Sequence, residues 1–160
     1  MIQTKNDLDA AKRKKLVDLI QQQLVDLINL QLQAKQAHWN VKGPQFHSLH
    51  ELFDSVAATA AALVDEVAER AVALGGVVDG TIEGVAKKTT LKPYRADLLD
   101  GMAHVEALAS AIAAVGKGVR AAIEEAEMLG DAGTADLFTG ASRELDKQLW
   151  FVEAHQQGGK

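Results

Sequence analysis

The sequence contains no cysteine and only two prolines in 160 residues. Without cysteine the chain can form neither disulfides nor thiolate metal sites, which fits a reducing compartment. No stretch approaches the roughly 20 apolar residues of a membrane span, and the polar N-terminus lacks the apolar core of a signal peptide. The formal net charge is −5, so any DNA contact would need a local basic patch. These absences predict a cytoplasmic protein.

Long stretches of the chain carry apolar residues at every third or fourth position, and none alternates as a strand would. The pattern predicts one all-α domain, a four-helix bundle with a long crossover between the second and third helices. The predicted segments are a loose arm at 1–6, a first helix capped by Asn6 and ending near Asn40, a second from about Gln45 to Leu74, a crossover at 75–92 with a short helix near Thr81–Lys88, a third from Pro93 to about Met128, a fourth from Thr134 to about Gln156, and a tail at 157–160.

The second helix carries four metal-type side chains on one face. With His50 set at zero, Asp54, Asp65 and Glu69 fall near 40°, 60° and 100° at about 100° per residue. Along the axis they form two pairs, because Asp54 and Asp65 are roughly 16 Å apart. Metal–ligand bonds are about 2 Å long, so one ion cannot contact both pairs of the same copy.

A second copy running antiparallel would supply the missing half. A two-fold axis near residue 60 would lay His50 and Asp54 of one chain against the acidic pair of the other. The small residues at that crossing would let the helices approach closely; they are Ala57, Ala58, Thr59, Ala60, Ala61 and Ala62. We therefore expect metal sites shared between subunits, two for each dimer.

The expected ligands are imidazole nitrogen and carboxylate oxygen, which suit Fe, Mn, Zn or Co. A different bundle type holds its iron inside one bundle through Glu-x-x-His pairs. No histidine of this sequence has an acid three residues before it. The within-bundle site is therefore absent, which favours the shared one.

Three stretches together carry a family resemblance. Residues 38–54 read HWNVKGPQFHSLHELFD, residues 65–70 read DEVAER, and residues 131–155 read DAGTADLFTGASRELDKQLWFVEAH. This pattern closely resembles the Dps family of mini-ferritins (DNA-binding protein from starved cells). The resemblance implies a ferritin-like bundle in a hollow shell of twelve subunits. It also implies that Fe(II) is oxidised, preferably by hydrogen peroxide, and stored as ferric mineral.

The resemblance assigns roles to individual residues. His38, His50 and Asp54 match ligands from one subunit, and Asp65 and Glu69 match those from its two-fold partner. It implies a ferroxidase, an oxidoreductase acting on metal ions, with iron as the metal, room for two ions at a site, and other divalent metals able to substitute.

Four further residues match family positions whose roles are less specific. Glu51 matches a cavity-facing position that nucleates mineral, although an exposed helical glutamate needs no such role. Trp39 matches a tryptophan close to the iron that could intercept oxidising equivalents, with packing as the alternative. Asp131 and Asp136 match acids that line a pore on the three-fold axis, with an acidic surface turn as the alternative.

Two other groups are interpreted as ordinary surface residues. His47 is interpreted as a surface histidine. Asp100 and His104, one turn apart, are interpreted as an ordinary solvated pair in preference to a surface metal site.

DNA binding is the rival function, in which the protein compacts the nucleoid and its iron chemistry is secondary. The candidate contacts are Lys5, Lys12, Arg13, Lys14 and Lys15. Family members that bind DNA commonly use longer lysine-rich tails, so a soluble helix start is the favoured interpretation. Twelve copies of a weak patch could still bind by avidity.

Overall fold

The computed structural model describes residues 1–158, and in this range the chain folds into five α-helices. They are α1 (Ala10–Asn40), α2 (Phe46–Ala73), α3 (Ile82–Lys88), α4 (Gly101–Leu129) and α5 (Ala132–Glu153). The predicted all-α bundle, with a crossover that carries a short helix, is confirmed. Gly159 and Lys160, half of the predicted tail at 157–160, lie outside the described residues. Among the helices described, none is long and apolar enough to cross a membrane.

The start of α1 differs from the prediction. Asp9 caps the helix, because its carboxylate accepts the backbone N–H groups of Ala11 and Lys12. Asn6 does not cap the helix; its side chain accepts the N–H of Leu8 in a local turn. Both residue types form caps and turns, and the sequence alone placed the cap three residues too early.

The third long helix also begins later than predicted. Pro93 does not open α4, which starts at Gly101 after an irregular stretch. Asp100 is its N-cap, and its carboxylate accepts the N–H of Ala103 at 2.9 Å. The N–H of Lys42 donates to the carbonyl of Leu99 at 2.8 Å, so the α1–α2 loop fixes the start of α4.

The four long helices enclose one continuous apolar core. Helix α1 packs on α2 and on α4, and α5 packs on α4 and on α2, while α3 lies against α1. Fully buried side chains from each long helix meet in the centre; among them are Leu24, Leu27, Phe53, Leu108, Ile112 and Phe138. At roughly 25 cal/mol per Å² of apolar surface, this burial is the main stabilising term.

Polar side chains of α1 fix the crossover in place. The buried carboxylate of Asp26 accepts hydrogen bonds from the Thr90 N–H and from both the Thr89 and Thr90 hydroxyls, at 2.7–2.9 Å. Further along, the Gln33 amide donates to the carbonyl of Lys92 at 3.0 Å. The crossover is thus hydrogen-bonded along the length of α1, as buried polar groups require.

The N-terminal arm is not loose, contrary to the prediction. The N–H of Ile2 donates to the carbonyl of Gly75 at 2.7 Å. The Arg13 guanidinium donates to the carbonyls of Leu8 and Leu74, at 3.1 and 3.2 Å. Gly75 has φ +85°, and a Cβ there would lie 2.6 Å from the Ile2 carbonyl oxygen, so only glycine suits this contact.

Candidate metal centre

The predicted ligands His38 and His50 lie face to face near the end of α1 and the start of α2. Their ring centroids are 3.7 Å apart and the planes are inclined by 21°. Nδ1 of His38 is 2.7 Å from the carbonyl oxygen of His50, and Nδ1 of His50 is 2.8 Å from the carbonyl oxygen of His38. The short loop between α1 and α2 brings the two helix ends together and makes this exchange possible.

The reciprocal hydrogen bonds define which nitrogen of each ring can bind a metal. A carbonyl oxygen only accepts, so each Nδ1 must carry the proton. Each Nε2 of a neutral ring then presents a free lone pair, the form in which histidine binds metals. Both rings are half-exposed, and each is held by a backbone carbonyl and by stacking on the other ring.

Asp54, one turn after His50, is paired with Lys35 in the structure. Lys35 Nζ is 2.6 Å from Asp54 Oδ1. The Lys35 hydrogen bond is the largest influence and lowers the pKa of Asp54; burial opposes it, and the positive charge of Lys35 lowers the pKa further. The carboxylate is therefore ionised and ready to bind a cation, but a resident ammonium group competes for it. Sequence reasoning missed this partner, although Lys35 lies one turn before His38.

An open cavity of about 610 Å³ joins these groups. Its lining comprises His38, Phe46, His47, His50, Glu51, Asp54, Ser55 and Ala58. Three imidazoles and two carboxylates thus line one solvent-accessible space, and these are ligand types that iron and similar metals accept.

The acidic pair Asp65 and Glu69 lies farther along α2, and both residues are exposed. Within residues 1–158 no group of three or more His, Asp or Glu side chains is arranged to hold a metal ion. A single chain therefore presents an imidazole–carboxylate group at one point of α2 and a carboxylate pair at another. Completion of the set by a two-fold partner stays a prediction.

The small residues between these two groups differ in burial. Ala57 and Ala60 are buried in the core of their own bundle, whereas Ala58 and Ala62 are exposed. Thr59 accepts a hydrogen bond from the Gln148 side chain at 2.9 Å. Only part of the predicted crossing surface is thus available to a second copy.

Trp39 projects outward beside His38, with 62% of its surface exposed. It does not pack in the core of its own chain. The Lys35 ammonium lies 5.7 Å from its ring centroid, within the range of a cation–π contact. The same lysine therefore contacts both Trp39 and the expected ligand Asp54.

His47 and Glu51 form a second polar pair on the cavity wall. His47 is exposed, as predicted, and its Nε2 lies 3.4 Å from Glu51 Oε1. The exposure of Glu51 is compatible with both of its predicted interpretations, a solvated residue and a nucleation site.

The two acids of the predicted pore have different surroundings. Asp136 is exposed, but Asp131 is 5% exposed and binds Arg70 Nη2 at 2.7 Å, with a further hydrogen bond from the Thr134 hydroxyl. Burial alone would raise the pKa of Asp131, yet the Thr134 and Arg70 hydrogen bonds outweigh it and lower the pKa. Asp131 therefore joins the end of α2 to the start of α5, and its charge is already neutralised. The pore itself stays a prediction.

The interpretation of Asp100 and His104 as a solvated pair is wrong. Asp100 is exposed, but His104 is completely buried, with Nδ1 2.6 Å from the Tyr94 hydroxyl. The crossover residue Tyr94 covers His104, and this distant contact has no signal in the local spacing. Burial is the largest influence and lowers the pKa of His104, although the nearby Leu98 carbonyl and Asp100 carboxylate both act to raise it.

The candidate DNA residues are not equivalent. Lys5, Lys12 and Lys15 are exposed, and Lys14 is an exposed partner of Asp18 at 3.6 Å. Arg13 is committed to backbone carbonyls and fixes the arm. The available basic surface is therefore four lysines.

Comparison with known proteins gives consistent matches over nearly the whole chain. The ferritin family model, described as a ferritin-like domain, matches residues 17–160. The DNA protection during starvation protein of Agrobacterium fabrum (strain C58) is 43% identical over 154 residues, covering 96% of this chain and 95% of that protein.

Solved structures agree with the sequence matches. Mycobacterium smegmatis Dps in its tetragonal form has a TM-score of 0.91 at 35% identity, covering 97% of this chain and 93% of that chain. The Vibrio cholerae Dps protein, described as a member of a broad superfamily of ferritin-like diiron-carboxylate proteins, has a TM-score of 0.91 at 26% identity, covering 98% of both chains. The chain belongs to the Dps family of ferritin-like proteins, the mini-ferritins.

Proposed function

We propose that this protein is a ferroxidase that stores iron. It binds Fe(II) at sites shared between two-fold related subunits, oxidises it with hydrogen peroxide or oxygen, and holds the ferric mineral inside a shell of twelve subunits. The observation that carries the proposal is the locked pair His38 and His50, which lines the same open cavity as the carboxylate of Asp54.

Each ligand has a defined task at this site. The two imidazoles bind Fe(II) through Nε2, and Asp54 exchanges its contact with Lys35 for one with the metal. Asp65 and Glu69 of the two-fold partner complete the set. Carboxylate oxygens are hard ligands, so a set rich in carboxylates stabilises Fe(III) and favours the oxidation.

The reaction with peroxide balances with two irons. Two Fe(II) ions each give one electron to hydrogen peroxide, the O–O bond breaks, and two protons from solvent complete two waters. Two Fe(III) ions remain and hydrolyse to mineral. Because both electrons arrive together, no hydroxyl radical is released, and this protects the cell from peroxide and free iron.

Other residues serve entry, nucleation and protection. Exposed Asp136 lines the three-fold pore, where a ring of like charges focuses Fe(II) into the shell. Asp131 supports that turn through Arg70. Glu51 faces the interior of the shell and nucleates mineral there.

Trp39, exposed beside His38, intercepts any one-electron oxidant. The Trp39→Phe variant should therefore suffer more peroxide-dependent damage to the shell than the parent. The Trp150→Phe variant, which changes a tryptophan elsewhere, should not.

The test is anaerobic addition of Fe(II) followed by peroxide, with ferric absorbance and particle size recorded together. The parent should form ferric product rapidly within a particle of constant size. A variant with Asp65→Asn and Glu69→Gln should assemble normally but oxidise iron slowly. If that variant oxidised iron with peroxide at the parent rate, the ligand assignment would be wrong.

DNA binding is the second candidate function. It is supported by the name of the Agrobacterium relative, the DNA protection during starvation protein. The exposed residues Lys5, Lys12, Lys14 and Lys15 would contact phosphates, and twelve copies would add avidity. A gel-shift assay at low and moderate salt tests this. Retardation lost on raising salt supports the lysine surface, and no retardation at low salt removes DNA from the function.

A further inference from the structure

The buried histidine of α4, His104, has a hydrogen-bonded partner on one side of its ring only. Its Nδ1 lies 2.6 Å from the Tyr94 hydroxyl, and the two rings are inclined by 14°. Its Nε2 is enclosed in the core and has no hydrogen-bond partner within residues 1–158. A buried polar atom without a partner is uncommon in folded proteins. The iron chemistry proposed above gives neither side chain a role.

The hydroxyl proton of Tyr94 lies between the two side chains. A neutral imidazole has one N–H group and one nitrogen lone pair. Burial is the largest influence on the pKa of His104 and lowers it, so the ring is neutral at pH 7. Burial also raises the pKa of Tyr94, so the phenol keeps its proton. In the part of the chain that the structure describes, the Tyr94 hydroxyl has no other hydrogen-bond partner, so it donates to the lone pair of Nδ1.

This arrangement joins an oxidisable phenol to a base. Loss of an electron makes a phenol hydroxyl strongly acidic, so oxidation of tyrosine at neutral pH needs an acceptor for the proton. Nδ1 of His104 is such an acceptor and is already within hydrogen-bond distance. Because the core encloses Nε2, the proton does not pass on to water and remains available for return to Tyr94.

The pair lies between an open cavity and α2. Tyr94 is half-buried and lines a cavity of about 520 Å³ between the crossover and α4. On the other side, the His104 ring is 6.0 Å from the ring centroid of the fully buried Phe53, within the range of aromatic pairs. Phe53 directly precedes the expected ligand Asp54. Aromatic side chains therefore extend from the cavity to the helix that carries the expected metal ligands.

We propose that Tyr94 and His104 form a reversible redox pair, in which Tyr94 gives one electron to a strong one-electron oxidant and passes its hydroxyl proton to Nδ1 of His104. The hydroxyl radical that a single Fe(II) ion forms with peroxide is an oxidant of this class, and the electron reduces it to hydroxide. The neutral tyrosyl radical then takes one electron from another Fe(II) ion, which becomes Fe(III), and the proton returns from His104. The two iron-dependent steps rest on the proposed function, whereas oxidation of the pair by another oxidant does not.

Tyr94 is the only tyrosine of the chain, so any tyrosyl radical reports on this site. The experiment is flash photolysis of the metal-free full-length protein with tris(bipyridine)ruthenium(II) and persulfate, which supply a one-electron oxidant without iron. Transient absorbance and electron paramagnetic resonance of frozen samples detect the radical. The parent is compared with the variant Trp39→Phe/Trp150→Phe, in which the two exposed tryptophans no longer compete for the oxidant.

We expect a tyrosyl radical in both proteins. In the tryptophan-free variant it should form at a rate that does not change with buffer concentration, because His104 and not the buffer accepts the proton. Adding His104→Gln to that variant keeps a hydrogen-bond acceptor but removes the base. Formation of the radical should then slow by at least about tenfold, since a positioned base contributes more than that to proton transfer.

The matched control moves the tyrosine within the tryptophan-free variant. Tyr94→Phe with Phe151→Tyr places it at a half-exposed position of α5. Its proton goes to water or buffer, so its oxidation should accelerate as the buffer concentration rises, and its radical should decay sooner than that of Tyr94.

The ordinary alternative is a structural hydrogen bond only. Absence of a tyrosyl radical from both the parent and the tryptophan-free variant overturns the redox pair. A rate that rises with buffer concentration as in the control, or an unchanged rate after His104→Gln, overturns it as well. The first two outcomes need no substitution in the pair, and circular dichroism checks that the His104→Gln protein is folded. Failure of the ferroxidase assignment, measured with the Asp65→Asn and Glu69→Gln variant, would leave the metal-free result unchanged.

Discussion

The ammonium of Lys35 lies 2.6 Å from the carboxylate of Asp54, so the chain without metal already holds a cation at its expected iron ligand. Two partly exposed side chains make this contact, and such pairs exchange easily with solvent and ions. On the proposed ligand assignment, iron displaces Lys35 from Asp54, and this competition weakens the binding of the metal.

We expect Lys35→Gln to tighten cation binding severalfold. The substitution removes both the competing ammonium and its repulsion of the incoming ion. The pKa of Asp54 would rise towards its ordinary value, but that value is near 4, so the carboxylate stays ionised at neutral pH. Anaerobic titration with Co²⁺ measures the effect. Lys117→Gln, which changes an exposed lysine of α4, is the control for net charge and should leave the affinity unchanged.

Tyr94→Phe should destabilise the fold by about 1–3 kcal/mol, because it leaves Nδ1 of the buried His104 without its hydroxyl partner. The Nε2 atom of that ring already has no hydrogen-bond partner in the structure. Thermal unfolding at pH 7.5 measures the loss. Phe151→Leu, at a half-exposed aromatic position of α5, gives the effect of an aromatic change outside this contact.

The same histidine should make stability depend on pH. The folded protein holds the pKa of His104 below its ordinary value of about 6.5, so the unfolded chain takes up the proton first. Stability is therefore full above that value and falls as the pH drops through it. We expect the parent melting temperature to decline from pH 7.5 to 5.5, and His104→Gln to show a smaller decline. An equal slope in both would contradict the assignment.

Asp131→Asn should lower stability at neutral pH by about 1–3 kcal/mol, because it leaves the Arg70 guanidinium without its carboxylate. The pKa of Asp131 is depressed, so its contribution is complete at neutral pH and disappears as the pH falls below about 4. The difference in melting temperature between parent and variant should narrow over that acid range. Asp136→Asn, at an exposed position of the same helix, should melt like the parent and is the cleaner variant for testing iron entry.

Local sequence patterns were sufficient to locate the long helices, apart from the starts of α1 and α4, and to place His50 and Asp54 on one face of α2. Apolar spacing located α2 to within one residue at each end, and the glycines after Leu74 marked where it stops. The loop between His38 and His50 is short, so their approach could be expected. The contacts that were not predicted join distant segments: Lys35 with Asp54, Tyr94 with His104, and Arg70 with Asp131. The two residues of each pair lie on different segments, so the repeat of a helix does not relate them. Only the folded chain reveals these contacts.

Mixed assemblies test whether each centre is shared. One variant carries His38→Gln, His50→Gln and Asp54→Asn, and the other carries Asp65→Asn and Glu69→Gln. Each alone should oxidise iron slowly, because every site lacks part of its set. In a dimer of the two, one site combines both defects, whereas the other takes its histidines and acids from unaltered segments.

Random mixing of the two variants makes about half of the dimers mixed. A two-fold interface carries two equivalent sites, and one of the two is intact in each mixed dimer. Roughly a quarter of all sites should therefore be intact. Dissociating and reassembling the variants together should restore peroxide-dependent oxidation to about that fraction of the parent rate. The control is a mixture of the two variants made after each has assembled separately, because assembled shells do not exchange subunits and this mixture should stay slow. If each chain held its whole site, no mixture would recover activity, because every chain would carry a damaged ligand set.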